Sequence, residues 1–207
     1  MIPLQAMKRY SVVRKSGDPL TWDHAGVLTD FTFPWEQREV PRTEFRALWD
    51  DDGLHFRFDC EDPDLVLAEA PECKERVLGS DRVELFFTPD LSLESYFCLE
   101  MTPKGDVLDY AARFYRQVDW DWCFDGVMTL GVVEGSRYSL TGRIPISTLR
   151  DLGILCGREM YVGVYRAEFH HRADGTVHQG WMPWVDPKTE KPDFHVPASF
   201  GVFDLID

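Results

Sequence analysis

What constrains this chain most is a two-residue period that recurs along it. Residues 42–49 and 54–60 alternate apolar and polar side chains, and Asp50-Asp51-Asp52-Gly53 between them supplies turn chemistry. Successive side chains point to opposite faces in an extended strand, so the two runs read as a β-hairpin. The pattern returns at 81–88, 94–102 and 106–113, joined through Pro89-Asp90-Leu91-Ser92 and Pro103-Lys104-Gly105, which predicts a meander. Residues 126–134 and 137–144 pair across Gly135-Ser136, residues 161–170 and 176–182 pair across Asp174-Gly175, and 199–205 closes the chain. Two short helices are predicted: 19–25, with Asp18 as N-cap and Pro19 at the first helical position, and 145–152. About ten strands with regular turns predict an all-β chain, because a sheet must bury one face against another layer. The expected architecture is a two-sheet antiparallel β-sandwich, jelly-roll or immunoglobulin-like. No repeat, low-complexity segment or linker divides the sequence, so residues 1–207 read as one domain.

Composition narrows the partners. At 207 residues, with 44% hydrophobic and 14% aromatic side chains, the chain has material for one sizeable core. Its 22 Lys and Arg stand against 36 Asp and Glu, a formal charge of -14. Such a surface repels nucleic acid and anionic membrane and favours a neutral or cationic partner. Residues 1–9 have no basic head followed by an apolar stretch, which reads as a cytoplasmic chain unless a leader was removed. Cys60, Cys73, Cys98, Cys123 and Cys156 are odd in number and form no CxxC pair, as expected of reduced thiols. Nothing in the sequence sets an oligomeric state.

Within the meander, parity separates two faces. If Thr88 opposes Glu94, then Val83, Leu85 and Phe87 share a face with Phe97, Leu99 and Met101, and this is the predicted core side. The opposite face gathers Arg82, Glu84 and Phe86 with Tyr96, Cys98 and Glu100. Sugars suit such a face: pyranose C–H surfaces stack on aromatic rings, and hydroxyls take hydrogen bonds from charged groups. A plain solvated face whose charges pair with one another is the alternative.

Three segments carry a resemblance. Thr43-Glu44-Phe45-Arg46-Ala47-Leu48-Trp49-Asp50, Ser80-Asp81-Arg82-Val83-Glu84-Leu85-Phe86-Phe87 and Pro192-Asp193-Phe194-His195-Val196-Pro197-Ala198-Ser199-Phe200-Gly201 resemble, in order and spacing, the family 9 carbohydrate-binding modules. Phe33-Pro34-Trp35, Glu61-Asp62-Pro63-Asp64 and Tyr165-Arg166-Ala167-Glu168 extend the resemblance over nearly the whole chain. It implies a β-sandwich related to DOMON folds, carbohydrate binding without catalysis, frequent attachment to plant-polysaccharide-degrading enzymes and, in some members, structural calcium. It also implies two tryptophans that sandwich a terminal sugar, at positions that here fall on Leu78 and Trp181. The family's glutamate matches Glu84, whereas an arginine expected on the next strand falls on Cys98. Trp35, Trp120 and Trp122 are candidates for the missing ring. The candidate site is therefore Trp181 as a platform over Glu84 and Arg166, with Trp35, Tyr96, Glu100, Trp122 and Trp184 around it. Trp49, by inward parity, and Trp22, on the predicted amphipathic helix, are assigned to the core.

Other chemistries have weaker support. Glu84 and Glu100 on neighbouring strands are the minimum carboxyl pair of a glycosidase, but a sheet face is expected to give too little enclosure to raise one pKa. No GxSxG, HExxH, GxGxxG or P-loop pattern is present. Six Met and six His would supply haem ligands as in some DOMON-type domains, though no spacing singles out a pair. His170 and His178 face each other across a hairpin without an evident third ligand, so zinc is not expected. Oxygen ligands for a structural calcium cluster at Asp50, Asp51, Asp52, Glu61, Asp62 and Asp64. No other cofactor is expected.

Overall fold

The computed structural model describes residues 7–17 and 19–207; the predicted cap at Asp18 and the opening residues 1–6 lie outside the described residues. Twelve strands run β1 (Arg9–Arg14), β2 (Thr43–Trp49), β3 (Gly53–Glu61), β4 (Arg82–Thr88), β5 (Tyr96–Met101), β6 (Val107–Arg113), β7 (Gln117–Asp119), β8 (Met128–Glu134), β9 (Arg137–Pro145), β10 (Glu159–His171), β11 (Val177–Pro183) and β12 (Gly201–Ile206). Two α-helices, α1 (Cys73–Leu78) and α2 (Ile146–Asp151), and a 3-10 turn at Pro197–Ser199 accompany them among the described residues. No helix among the described residues is long and apolar enough to cross a membrane.

The chain is mostly β, but its strands do not separate into two antiparallel sheets. Hydrogen bonds link them in one mixed sheet, ordered β7-β6-β5-β4-β10-β12-β1-β2-β3-β9-β8, with β11 added beside β10. The difference originates at β1, a strand not expected from the sequence. It inserts parallel to both β12 and β2, bridging what would otherwise be the open edges of two layers. The sheet then curls on itself. Phe45, Phe56 and Phe58 from one half meet Val83, Leu85 and Phe87 from the other in a shared core. Burying each such side chain is worth roughly 1.5–3 kcal/mol. Gly142 on β9 makes room for this packing, since a Cβ there would lie 2.2 Å from the Phe56 ring.

Register in the meander explains why parity was readable. β4 and β5 pair Phe87 with Phe97, Leu85 with Leu99 and Val83 with Met101, two residues away from the Thr88–Glu94 alignment. A slip of two leaves every side chain on its original face. All six residues are accordingly buried in the core.

Of the two expected helices, α2 forms one turn after Pro145 with Ile146, Thr148 and Leu149 buried. Residues 19–25 instead make a single turn, closed by Ala25 N–H donating to Trp22 O at 3.1 Å. Only Ala25 is buried there, so so short a helix would have no packed face to stabilise it. Trp22 is consequently half-buried on the outside and not a core residue, whereas Trp49 is buried as expected. α1 and the three-residue β7 were not expected.

The outer face of β4, β5 and β10 is not solvated either. The segment from Pro192 to Phe200 folds back across it and stacks Phe194 on Tyr165 with centroids 4.1 Å apart and planes 7° apart. Phe86, Tyr96, Cys98, Val77 of α1 and Phe200 join them in a second, smaller core. Polar residues of the same face are thereby enclosed at the floor of a cleft.

Candidate functional site

The second core extends onto β6 through Leu108, Tyr110 and Ala112, and beside it lies a cleft of about 470 Å³. Its floor is Arg82 and Glu84 from β4, Glu100 from β5 and Tyr110 from β6; its walls are Leu78, Trp120, Trp181, Arg116 and residues 192–195. β4 and β5 place Glu84 directly opposite Glu100. Arg82 lies on the same face as both, two residues before Glu84, and its single Nε–H donates to Glu100 Oε2 at 2.6 Å. Glu84 Oε1 is 2.9 Å from the same nitrogen but receives no hydrogen bond from it, because that one proton is already committed. Glu100 is engaged through both oxygens, since the Tyr110 hydroxyl donates to Oε1 at 2.8 Å.

Two carboxyl groups and one guanidinium leave the floor one charge short of neutrality if both acids ionise. Burial, reinforced by the negative Glu100 and opposed by Arg82, raises the Glu84 carboxyl to about 8. The expectation that a sheet face would enclose too little to shift a carboxyl therefore fails, because the folded-back segment supplies the enclosure. Glu84 presents a buried oxygen that receives no hydrogen bond at the cleft floor, and its neutral form can donate as well as accept.

The walls combine rings with a fixed ion pair. Trp181 is half-buried, edge-on to Phe194 at 5.9 Å and to Phe169 at 5.7 Å, with the Arg82 guanidinium 5.3 Å from its ring centre. Trp120 is 45% exposed, close to Tyr110 at 4.8 Å and beneath Lys74 Nζ at 3.4 Å. Arg116 Nη2 donates to Asp193 Oδ1 at 2.8 Å. His195, held near Tyr96 Oη at 2.9 Å, is kept neutral: burial, then Arg116, lowers its pKa to about 4.

Several expected site residues lie elsewhere. Arg166 pairs with Val83 across β10 and β4 and so points into the core, with no exposure. There it donates to Thr43 Oγ1 at 2.9 Å, Glu61 O at 3.0 Å and Asp62 Oδ2 at 2.9 Å. Trp184 is buried against Phe203, and Trp122 packs on Phe97 and Phe124 at the core edge. Trp35 donates its Nε1–H to Thr189 O and supports Phe194, and Tyr96 is buried beneath the cleft. The cleft thus unites Trp181, Glu84 and Glu100 from the expected set with Trp120, one of the three candidates for the missing ring, and has Leu78 where the resemblance places a ring. Tyr110, Arg116, Asp193 and His195 were not expected. Tyr110 was within reach, since it lies opposite Cys98 on the same face, but the other three arrive on loops.

The calcium candidates are occupied separately. Asp50 accepts from the backbone N–H groups of Asp52 and Gly53, Asp62 binds Arg166, and Asp64 binds His171, while Asp51 pairs with Arg14. Among the described residues no three or more His, Cys, Asp or Glu side chains converge as for a metal ion. His170 and His178 do face each other, with ring centres 4.8 Å apart, flanked by Arg38 and Arg172. Among the described residues no methionine or lysine lines the cleft, and the histidine that does, His195, is engaged with Tyr96.

A larger cleft of about 650 Å³ lies on the outer face of β2, β3, β9 and β8 beside Trp22. Most of its charges pair with one another: Arg42 and Arg46 bind Glu44, Arg57 binds Asp59, and Arg137 binds Glu61. It lacks the paired indoles of the smaller cleft, and its own unpartnered buried oxygen is the neutral Tyr138 hydroxyl and not a carboxyl.

Known structures share this fold. A proposed carbohydrate-binding protein from Bacteroides uniformis is similar with a TM-score of 0.75 at 18% identity, over 98% of this chain and 100% of that one. A carbohydrate-binding module of family 9 from Caldicellulosiruptor kristjanssonii, in complex with cellotriose, matches with a TM-score of 0.62 at 17% identity, over 96% of this chain and 94% of that one. The same module with glucose matches with a TM-score of 0.60, also at 17% identity, over 96% and 95%. No curated protein matches the sequence significantly. The family model described as carbohydrate family 9 binding domain-like matches residues 17–207, and the chain belongs to that family.

Proposed function

We propose that this chain works as one domain whose smaller cleft binds a neutral carbohydrate without changing it. The observation that carries this reading is Glu84 Oε1, a buried oxygen that receives no hydrogen bond despite its 2.9 Å contact with Arg82 Nε, at the floor of a cleft walled by two indoles. Burying it empty costs free energy that a ligand hydroxyl would recover. Trp181 offers the C–H stacking surface, and Arg82, Glu84 and Glu100 orient hydroxyls on a rigid sheet that needs little reorganisation. Family membership and the cellotriose- and glucose-bound neighbours support the same ligand class. Trp120 supplies the second indole of the wall, since Leu78 stands where the family's other ring is expected.

The raised Glu84 gives a second reading, glycoside cleavage with Glu84 as acid and Glu100 as nucleophile or base. The engagement of both Glu100 oxygens, by Arg82 and Tyr110, favours binding over turnover. Calorimetry over a panel of neutral oligosaccharides, with reducing ends assayed afterwards, tests both. Stacking on one ring is worth about 1 kcal/mol, so Trp181→Ala should weaken binding at least about five-fold with the fold retained. New reducing ends would establish turnover; unaltered binding by Trp181→Ala would remove the site assignment.

A further inference from the structure

Two aromatic side chains remain without a role in the cleft. Phe114 and Tyr115 sit on the turn between β6 and β7 and are 49% and 52% exposed. Large rings displayed together on a loop mark a contact surface more often than a scaffold. The turn is also tied down. Phe114 N–H donates to Leu93 O at 2.9 Å, the Tyr115 hydroxyl donates to Asp193 Oδ2 at 2.7 Å, and Arg116 binds the other oxygen of Asp193. The two rings meet edge to face with centroids 5.4 Å apart.

Position gives these rings their meaning. Asp193 and Arg116 line the cleft, and Tyr115 touches both, with the Arg116 guanidinium 5.5 Å from its ring centre. The exposed rings therefore begin where the cleft ends. Beyond Tyr115, Phe114 borders a shallow concavity of about 600 Å³ with Glu94, Ser95, Arg113 and Gln117. A ring bordered by an amide, a hydroxyl, one acid and one base suits a polyhydroxylated neutral ligand and selects no net charge.

We propose that the β6–β7 turn is a second sugar subsite, continuous with the cleft, at which Phe114 and Tyr115 stack a further unit of an oligosaccharide whose first unit occupies the cleft. It rests on the reading of the cleft as a carbohydrate site. The occupant is an extended neutral glycan, because Tyr115 links the two places, bonded to Asp193 of the cleft wall and packed edge to face on Phe114 of the concavity.

The test uses the whole chain and calorimetric titration with glucose, xylose, mannose and galactose and their β-1,4-linked di-, tri- and tetrasaccharides. Wild type, Phe114→Ala, Phe114→Ala/Tyr115→Ala and Trp181→Ala are compared. In the series that binds, wild-type affinity should rise about ten-fold with chain length. The double variant should lose most of that gain, and Phe114→Ala, which removes no side-chain hydrogen bond, should lose part of it while keeping the monosaccharide affinity. Affinity independent of length in wild type, or an equal loss for mono- and trisaccharide in Phe114→Ala, overturns the subsite and leaves the cleft. A full length dependence in the double variant does the same. If no sugar binds wild type, or Trp181→Ala binds all of them as wild type does, the cleft reading itself falls, and the subsite with it.

Discussion

Arg166→Met separates the structural account from the one suggested by sequence resemblance. Arg166 has no exposure and donates to Thr43 Oγ1, Glu61 O and Asp62 Oδ2, all at 3.0 Å or less. Methionine keeps much of the volume but leaves Asp62, itself buried, without its cation. Removing one partner of a buried ion pair costs about 3–5 kcal/mol. Three hydrogen bonds from a charged donor, at about 1.5–3 kcal/mol each, set a higher ceiling that Asp62 can lower by taking up a proton. For a chain of this size the expected loss corresponds to a midpoint lower by roughly 6–20 °C in thermal unfolding. The loss should also depend on pH. Burial already raises the Asp62 pKa, and Arg166 is the main influence holding it down. A carboxyl raised further in the folded state contributes stability that is present below its unfolded value and lost as pH rises, so the variant should be penalised more at pH 8 than at pH 5. Adding Asp62→Asn, which still accepts the Asp64 N–H, should restore part of the loss. If Arg166→Met were within about 1 kcal/mol of wild type and abolished glycan binding selectively, Arg166 would belong to the ligand site and the core assignment would be wrong.

Three other outcomes are expected. Glu84 is raised to about 8, so its contribution to stability is present below about 4.5 and is lost as pH rises through 8; Glu84→Gln cannot ionise, and chemical denaturation should show it gaining on wild type between pH 5 and pH 8. Parallel profiles would mean that Glu84 is not held above its usual range. Trp184→Ala, which removes a buried ring packed on Phe203 and over Gly201, should cost about 3–5 kcal/mol in urea unfolding without altering glycan affinity of the folded fraction. Gly142→Ala should cost about 1–3 kcal/mol by the same measure, because the new methyl would overlap the Phe56 ring.

How much could be read in advance depended on the range of the contacts. The faces of β4 and β5 were legible because Val83-Leu85-Phe87 and Phe97-Leu99-Met101 keep their parity under a two-residue error in register. Arg166 was misplaced because its face depends on pairing with Val83, some eighty positions away in sequence, and a local motif does not carry that register. Glu84 and Glu100 were found on the right face but were expected on an open one. Only the return of residues 192–200 encloses them, and neither the period nor the composition of that segment specifies where it packs. The continuous sheet has the same origin: β1 is a six-residue strand whose two partners lie at Thr43–Trp49 and at the other end of the chain.

The central claim is that ligand enters the cleft over Arg82, Glu84 and Glu100. The seven tryptophans report on it separately, through the indole N–H resonances in a two-dimensional 15N–1H spectrum recorded during titration with cellotriose and the corresponding xylose and mannose trisaccharides. The account predicts that Trp181 and Trp120, which line the cleft, shift with the ligand that binds, while Trp49 and Trp184 in the core and Trp22 beside the larger cleft do not. Saturable shifts at Trp22 with Trp181 and Trp120 unmoved would place the ligand on the outer face of β2 and β3 and contradict the account.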